Sequence, residues 1–294
     1  MIILFTLGIL YIETKYSKPI QPKNNQTVNT NNLNIYRDIE YTRPSNTPLT
    51  LDIYSPKSNG LHPAVIVIHG GGFAHHTKQE GADTAIALAK DGFVIFNIDY
   101  RLTEDNHPFP AALEDVRNAA LWVRQNGTKY QASITKIGAL GGSAGANLAD
   151  MLATTGTTSQ DKVDVAISLS APTAFDLVPT DQLSITGGGR QSSATNVATY
   201  LHCTFTQLVN KQCDPTIVKA ASPAYQVTSD DSPIYIANSQ LELTPLNNAI
   251  LLADQMQKAG VPYELKSLPG ARHAFKYFPD IETDVVAFLH KYLD

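Results

Sequence analysis

The sequence predicts an α/β protein built on a mostly parallel β-sheet with helices on both faces. Short, β-branched apolar runs recur along the chain (AVIVIHG, FVIFNIDY, KIGAL, VAISLSA and PIYIANS), and each reads as a strand buried on both sides. Segments with apolar residues at helical spacing alternate with these runs. Strand followed by helix, repeated, implies right-handed crossovers between parallel strands. The chain has 294 residues, 43% of them hydrophobic and 17% charged. That is enough to bury a large core, and α/β folds of this size run as one domain.

The elements follow in order. The opening MIILFTLGILYI is apolar but shorter than the roughly 20 residues that span a bilayer. It has the length of a signal-peptide core without the basic residues that usually precede one. An export signal or anchor is expected here, giving a secreted, periplasmic or membrane-anchored protein with N-terminal membrane association. A first strand or buried helix in a cytoplasmic protein is the alternative. The polar stretch up to Asn34 reads as a linker, so the domain runs over 35–294. NLNIYRDIEY and LTLDIYS read as two strands joined by a turn at RPSNTP. Helices are expected in QEGADTAIALAKDG, in PAALEDVRNAALWVRQNG with Pro110 in its first turn and Gly127 beyond its end, in SAGANLADMLATTG, in PLNNAILLADQMQKAG stopped at Gly260, and in DIETDVVAFLHKYLD. The polar interval 172–222 breaks this rhythm, and a loop of that length carries function or structure of its own. It is expected to be a lid or cap over the strand ends.

A net charge of −5 and a pI near 5.9 leave no basic stripe, so no nucleic-acid partner is expected. Cys203 and Cys213 are the only cysteines. A close pair without clustered histidines is a poor zinc site, and a small-loop disulfide suits an exported chain better. No metal site is expected. Trp122, on a helical stripe, reads as core.

Two motifs carry chemistry. In IGALGGSAGANLAD a strand delivers the chain to Gly141 and a helix starts near Ala144, so Ser143 sits on a strand-to-helix turn. A nucleophile on such a turn has strained backbone, and its neighbours two residues away must be small. The helix start adds free N–H groups and positive potential. The dinucleotide spacing G-x-G-x-x-G cannot be laid through this turn, because its first glycine would fall on Leu140. The second motif is HGGGF, His69 to Phe73, at the end of another strand. Successive glycines free the backbone to aim amides at a developing oxyanion. Gly71 and Gly72 are the expected donors, with the amide of Ala144 as the third.

HGGGF, IDYRL…PFPAALEDV and GGSAGAN, in that order and spacing, resemble the α/β-hydrolase fold, specifically the hormone-sensitive-lipase-like and related carboxylesterases. The resemblance covers about residue 41 to the carboxy terminus. It implies an eight-stranded, mostly parallel sheet, a cap insertion after strand six and no cofactor. It also implies a serine carboxylic ester hydrolase acting on a small-molecule ester of small or medium acyl chain, with a triad in the order Ser, acid, His. His273, in LPGARHAF, is the base that the resemblance implies. His69 is read as bracing its loop, His75 and His76 as exposed near the site mouth, and His290 as lying on a surface helix. The resemblance places an Asp four residues before the proline in NSQLELTPL, but that position is Leu241. Glu242, one residue on, is the expected acid, its longer side chain offsetting the displacement. Asp230 and Asp231 precede their strand, at the wrong end of the sheet. Asp99, Tyr100 and Arg101 are read as supporting the site loops, and Phe73 with the cap as shaping the acyl pocket. Polysaccharide acetyl or feruloyl ester hydrolysis, amide or peptide hydrolysis, and a non-catalytic ligand-binding homologue stay open beside this reading.

Overall fold

A computed structural model describes residues 30, 32–156, 158, 160–177 and 187–294, with backbone alone over 187–192. The apolar amino-terminal segment and most of the linker lie outside the described residues. Among the described residues no helix is long and apolar enough to cross a membrane.

Among the described residues eight strands form one sheet in the order β1-β2-β4-β3-β5-β6-β7-β8. They are β1 (Leu33–Thr42), β2 (Leu49–Pro56), β3 (His62–Ile68), β4 (Val94–Ile98), β5 (Ala132–Gly142), β6 (Val165–Leu169), β7 (Ile234–Ser239) and β8 (Tyr263–Leu268). β1 begins inside the stretch read as linker. The β1–β2 and β2–β4 pairs are antiparallel, and every pair from β4 through β3 to β8 is parallel. All residues of β4, β6 and β7 are buried, as their unbroken apolar runs demand.

Alternation along each strand divides the core in two. Ile66 and Ile68 of β3 face one layer, packed under α2 (Ala111–Asn126), α3 (Ala144–Thr154) and α7 (Leu246–Ala259). Val65 and Val67 face the other, under α1 (Ala82–Lys90) and α8 (Phe278–Leu293). The expected stripe of α8 is buried at Ile281, Val285, Phe288 and Leu289. Each such side chain contributes about 1.5–3 kcal/mol by leaving water. Pro110 is the cap residue before α2 rather than part of its first turn, and Gly260 ends α7 in left-handed conformation. Trp122 packs partly buried against Phe96 and Tyr130.

The insertion after β6 has helices of its own: α4 (Gly187–Tyr200), α5 (Phe205–Val209) and α6 (Pro215–Ala220). Thr204 and Gln207 form a reciprocal cap on α5, and the Asp214 carboxylate accepts the Thr216 amide at the start of α6. Cys203 and Cys213 are joined in a disulfide across α5. α4 buries Ala194, Ala198 and Tyr200, and Tyr200 stacks on Phe73 of the glycine loop at 3.7 Å between ring centres.

Candidate active site

Ser143 lies between the last residue of β5 and the first of α3, with φ 55° and ψ −118°. This is strained backbone for a residue with a side chain. The flanking glycines are required sterically. A Cβ on Gly141 would lie 2.0 Å from the Gly145 carbonyl oxygen, and one on Gly145 would lie 2.2 Å from that of Ile68. The bend is held by the Ser143 amide, which donates to the Leu169 carbonyl at the end of β6 (2.8 Å).

The glycine loop leaves β3 beside this bend. Gly71, Gly72 and Phe73 all have positive φ, and the Gly71 carbonyl accepts the amides of Ala74 and His75. The Gly70 amide donates to Glu80 Oε2 at 2.6 Å, while the His69 ring stacks on Tyr100 and its Nδ1 lies 2.8 Å from the Gly70 carbonyl oxygen. Burial lowers the His69 pKa, so a neutral imidazole with its proton on Nδ1 braces the loop. Tyr100 Oη donates to the carbonyls of His69 and Gly70. Among the described residues the amides of Gly71, Gly72 and Ala144 have no hydrogen-bond acceptor.

Glu242 follows β7 and His273 follows β8, both at the carboxyl ends of their strands. Leu241 is 73% exposed whereas Glu242 is buried. The chain therefore turns the displaced carboxylate inward, and its Oε2 meets His273 Nδ1 in a short hydrogen bond. Oε1 accepts the Ser239 amide (2.6 Å) and the Ser170 hydroxyl (2.9 Å). The Gln240 and Leu241 amides donate to the carbonyls of Leu268 and Gly270, tying the acid's loop to the end of β8. Asp231 lies at the opposite strand end, paired with Lys162.

Two cavities meet at Ser143. One, about 460 Å³, is lined by Phe73, Ala174, Val197, Leu243 and Leu246 among others. The other, about 590 Å³, is lined by His75, Glu80, Asp83, Asn196, Lys276 and His273 together with Gly71 and Gly72. His75 and His76 are exposed at its mouth, as the sequence suggested, and His290 packs at the surface beside Phe93. Asp99 accepts from the backbone and side chain of Lys78, and Arg101 pairs with Asp115, so both support loops without lining either cavity. Among the described residues no cluster of side chains can hold a metal ion.

The BD-FAE family model matches residues 51–256, from within β2 to within the last turn of α7. The chain belongs to the BD-FAE family. Curated relatives of this BD-FAE chain include esterase LipC of Mycobacterium tuberculosis, 25% identical over 81% of the chain and 59% of LipC. Esterase LipI of the same organism is 37% identical over 36% of the chain and 34% of LipI. The chain thus spans between about a third and three-fifths of those relatives. Among solved structures, a truncated form of a carbohydrate esterase from gut microbiota superposes with a TM-score of 0.69 at 22% identity, covering 88% of the chain and 96% of that truncated form. Esterase Est2 of Thermogutta terrifontis gives 0.67 at 21% identity, over 90% and 91%. The fold of the BD-FAE chain is that of the α/β hydrolases.

Sequence reasoning missed Ser170 and Tyr277. Both are buried, and both join the carboxylate network in this BD-FAE chain: Ser170 Oγ lies 2.8 Å from Tyr277 Oη, which donates to the Ala237 carbonyl. Neither stands in a motif. The one available signal was a serine placed directly after an apolar strand in AISLSAP.

Proposed function

We propose that the protein is a serine carboxylic ester hydrolase working through an acyl-enzyme on small-molecule esters. The observation that carries this reading is the convergence on one cavity of a strained serine, an imidazole held by a buried carboxylate, and uncommitted backbone amides. Ser143 Oγ attacks the ester carbonyl as His273 takes its proton. Glu242 keeps the imidazole in the Nδ1–H tautomer and stabilises the imidazolium. The amides of Gly71, Gly72 and Ala144 receive the charge developing on the carbonyl oxygen. His273 then protonates the departing alkoxide, and water, activated by the same imidazole, releases the acid.

His273 lines the polar cavity and not the apolar one. The oxygen it protonates belongs to the alcohol, so the alcohol occupies the polar side and the acyl chain the apolar side beside Val197 and Leu246. The Cys203–Cys213 bridge supports an oxidising compartment, and hence export.

The test is Ser143→Ala. With its fold intact, it should lose p-nitrophenyl butyrate turnover by about 10⁴-fold or more, as removal of a triad nucleophile does. A fluorophosphonate probe should label Ser143 and no other residue. Turnover retained in the variant, or no labelling of the wild type, overturns the reading, and the second result points to a ligand-binding homologue.

A further inference from the structure

Ser170 stands immediately after β6, fully buried, in left-handed backbone with φ 62°. A non-glycine residue held there needs compensation from its surroundings. Its hydroxyl makes three contacts to groups from different parts of the chain. It donates to Glu242 Oε1 (2.9 Å), accepts the amide of Ala274 (2.9 Å), and lies 2.8 Å from Tyr277 Oη. Ala274 is the residue next to His273 and is itself held at φ 52°. One oxygen therefore touches the acid's carboxylate and the backbone that carries the base. The preceding residue, Leu169, receives the amide of Ser143 (2.8 Å). The tip of β6 thus touches Ser143, Glu242 and the residue next to His273.

Proton bookkeeping fixes the direction of these bonds. An ionised carboxylate only accepts, so the Ser170 proton must go to Glu242. Tyr277, whose phenol stays protonated because burial raises its pKa, has one proton to share between the Ala237 carbonyl and the Ser170 oxygen, each 2.8 Å away. Oε1 of Glu242 is thereby fully engaged by Ser170 and the Ser239 amide, leaving Oε2 for the imidazole. Without the hydroxyl, the carboxylate can rotate about its last torsion and the Ala274 amide loses its acceptor.

We infer that Ser170, assisted by Tyr277, is a positioning residue for the reaction proposed above: its side chain sets the Glu242 carboxylate and the His273 loop in register while touching no substrate. The inference rests on the serine-hydrolase reading but can fail independently of it.

The test is a cycle of four proteins, wild type, Ser170→Ala, Glu242→Ala and the double variant, assayed with p-nitrophenyl butyrate. Ser170→Ala should lower kcat about 10- to 100-fold, the scale of a small misplacement of a catalytic group, and leave KM within about two-fold. In the Glu242→Ala background the same change should cost several-fold less, because only the contact to the Ala274 amide is then left for it to remove. The downfield Nδ1 proton resonance of His273 should shift or broaden in Ser170→Ala. Wild-type kcat in Ser170→Ala, or an equal loss with and without Glu242, overturns the inference. Should the alanine variant fold poorly at its positive φ, Ser170→Gly relieves the backbone while deleting the same oxygen. A slow, well-folded glycine variant supports positioning, and a fully active one refutes it. Failure of the underlying reading would show separately, as undiminished turnover in Ser143→Ala.

Discussion

At the scale of single residues, the site turns on Glu242. Its Oε1 is committed to Ser239 and Ser170, and its Oε2 to His273. Glu242→Gln keeps the shape and removes the charge, and its amide nitrogen opposes one of these donors. The expected loss in kcat is on the order of 10³- to 10⁴-fold, with unchanged circular dichroism, as when a triad carboxylate becomes an amide. Glu242→Asp shortens the reach by one methylene and cannot serve both ends at once, so its kcat should fall between those of the amide variant and the wild type. An aspartate variant as slow as the glutamine one would argue against reach as the reason for glutamate here. Ser143 and His273 were legible because their settings, a strand-to-helix turn among glycines and a loop after the last strand, are local. Glu242 was legible only as the nearest carboxylate to a displaced position. What the sequence could not tell was that Leu241 points to solvent and Glu242 inward, since adjacent loop residues take their directions from tertiary contacts such as Leu241 N–H to the Gly270 carbonyl.

At the scale of elements, α3 contains an unusual group. Asp150 is fully buried, with Oδ2 accepting the Ser168 hydroxyl (2.8 Å) and Oδ1 without a partner among the described residues. Burial, only partly opposed by that hydrogen bond, raises its pKa well above the ordinary 3.8. At pH values between the unfolded and the folded pKa, the folded chain holds a proton that the unfolded chain has released. Stability from this group is fully present below pH 3.8 and is lost as pH rises from there through the folded value. Asp150→Asn removes the dependence. Its stability advantage over wild type, read from denaturant midpoints between about pH 4 and pH 8, should grow with pH, and a flat difference would sink this account. Elements of the sheet and its covering helices were legible because hydrophobic period decides them. The cap helices were not, since α4 is glycine- and serine-rich where it starts. Only the spacing of Ala194, Val197, Ala198 and Leu201 hinted at a helix, and packing against Phe73 supplies what composition does not.

At the scale of the molecule, the insertion shares the core of the sheet and carries a covalent tie of its own besides. The Cys203–Cys213 bridge closes a short loop around α5, and removing it with Cys203→Ala and Cys213→Ala should cost about 2–4 kcal/mol by the chain-entropy account. Thermal melting of the variant measures this, and thiol titration of the wild type should find no free cysteine before reduction and two after it. A wild type that titrates both thiols unreduced would remove the support for export. The two roots of the insertion also share an anchor. The Asn147 amide, one turn into α3, donates to the carbonyls of Pro172, where the excursion departs, and Ala221, where it returns (2.8 and 3.2 Å). Because one side chain holds both roots, Asn147 fixes where the insertion leaves and rejoins the domain relative to the helix that begins beside Ser143.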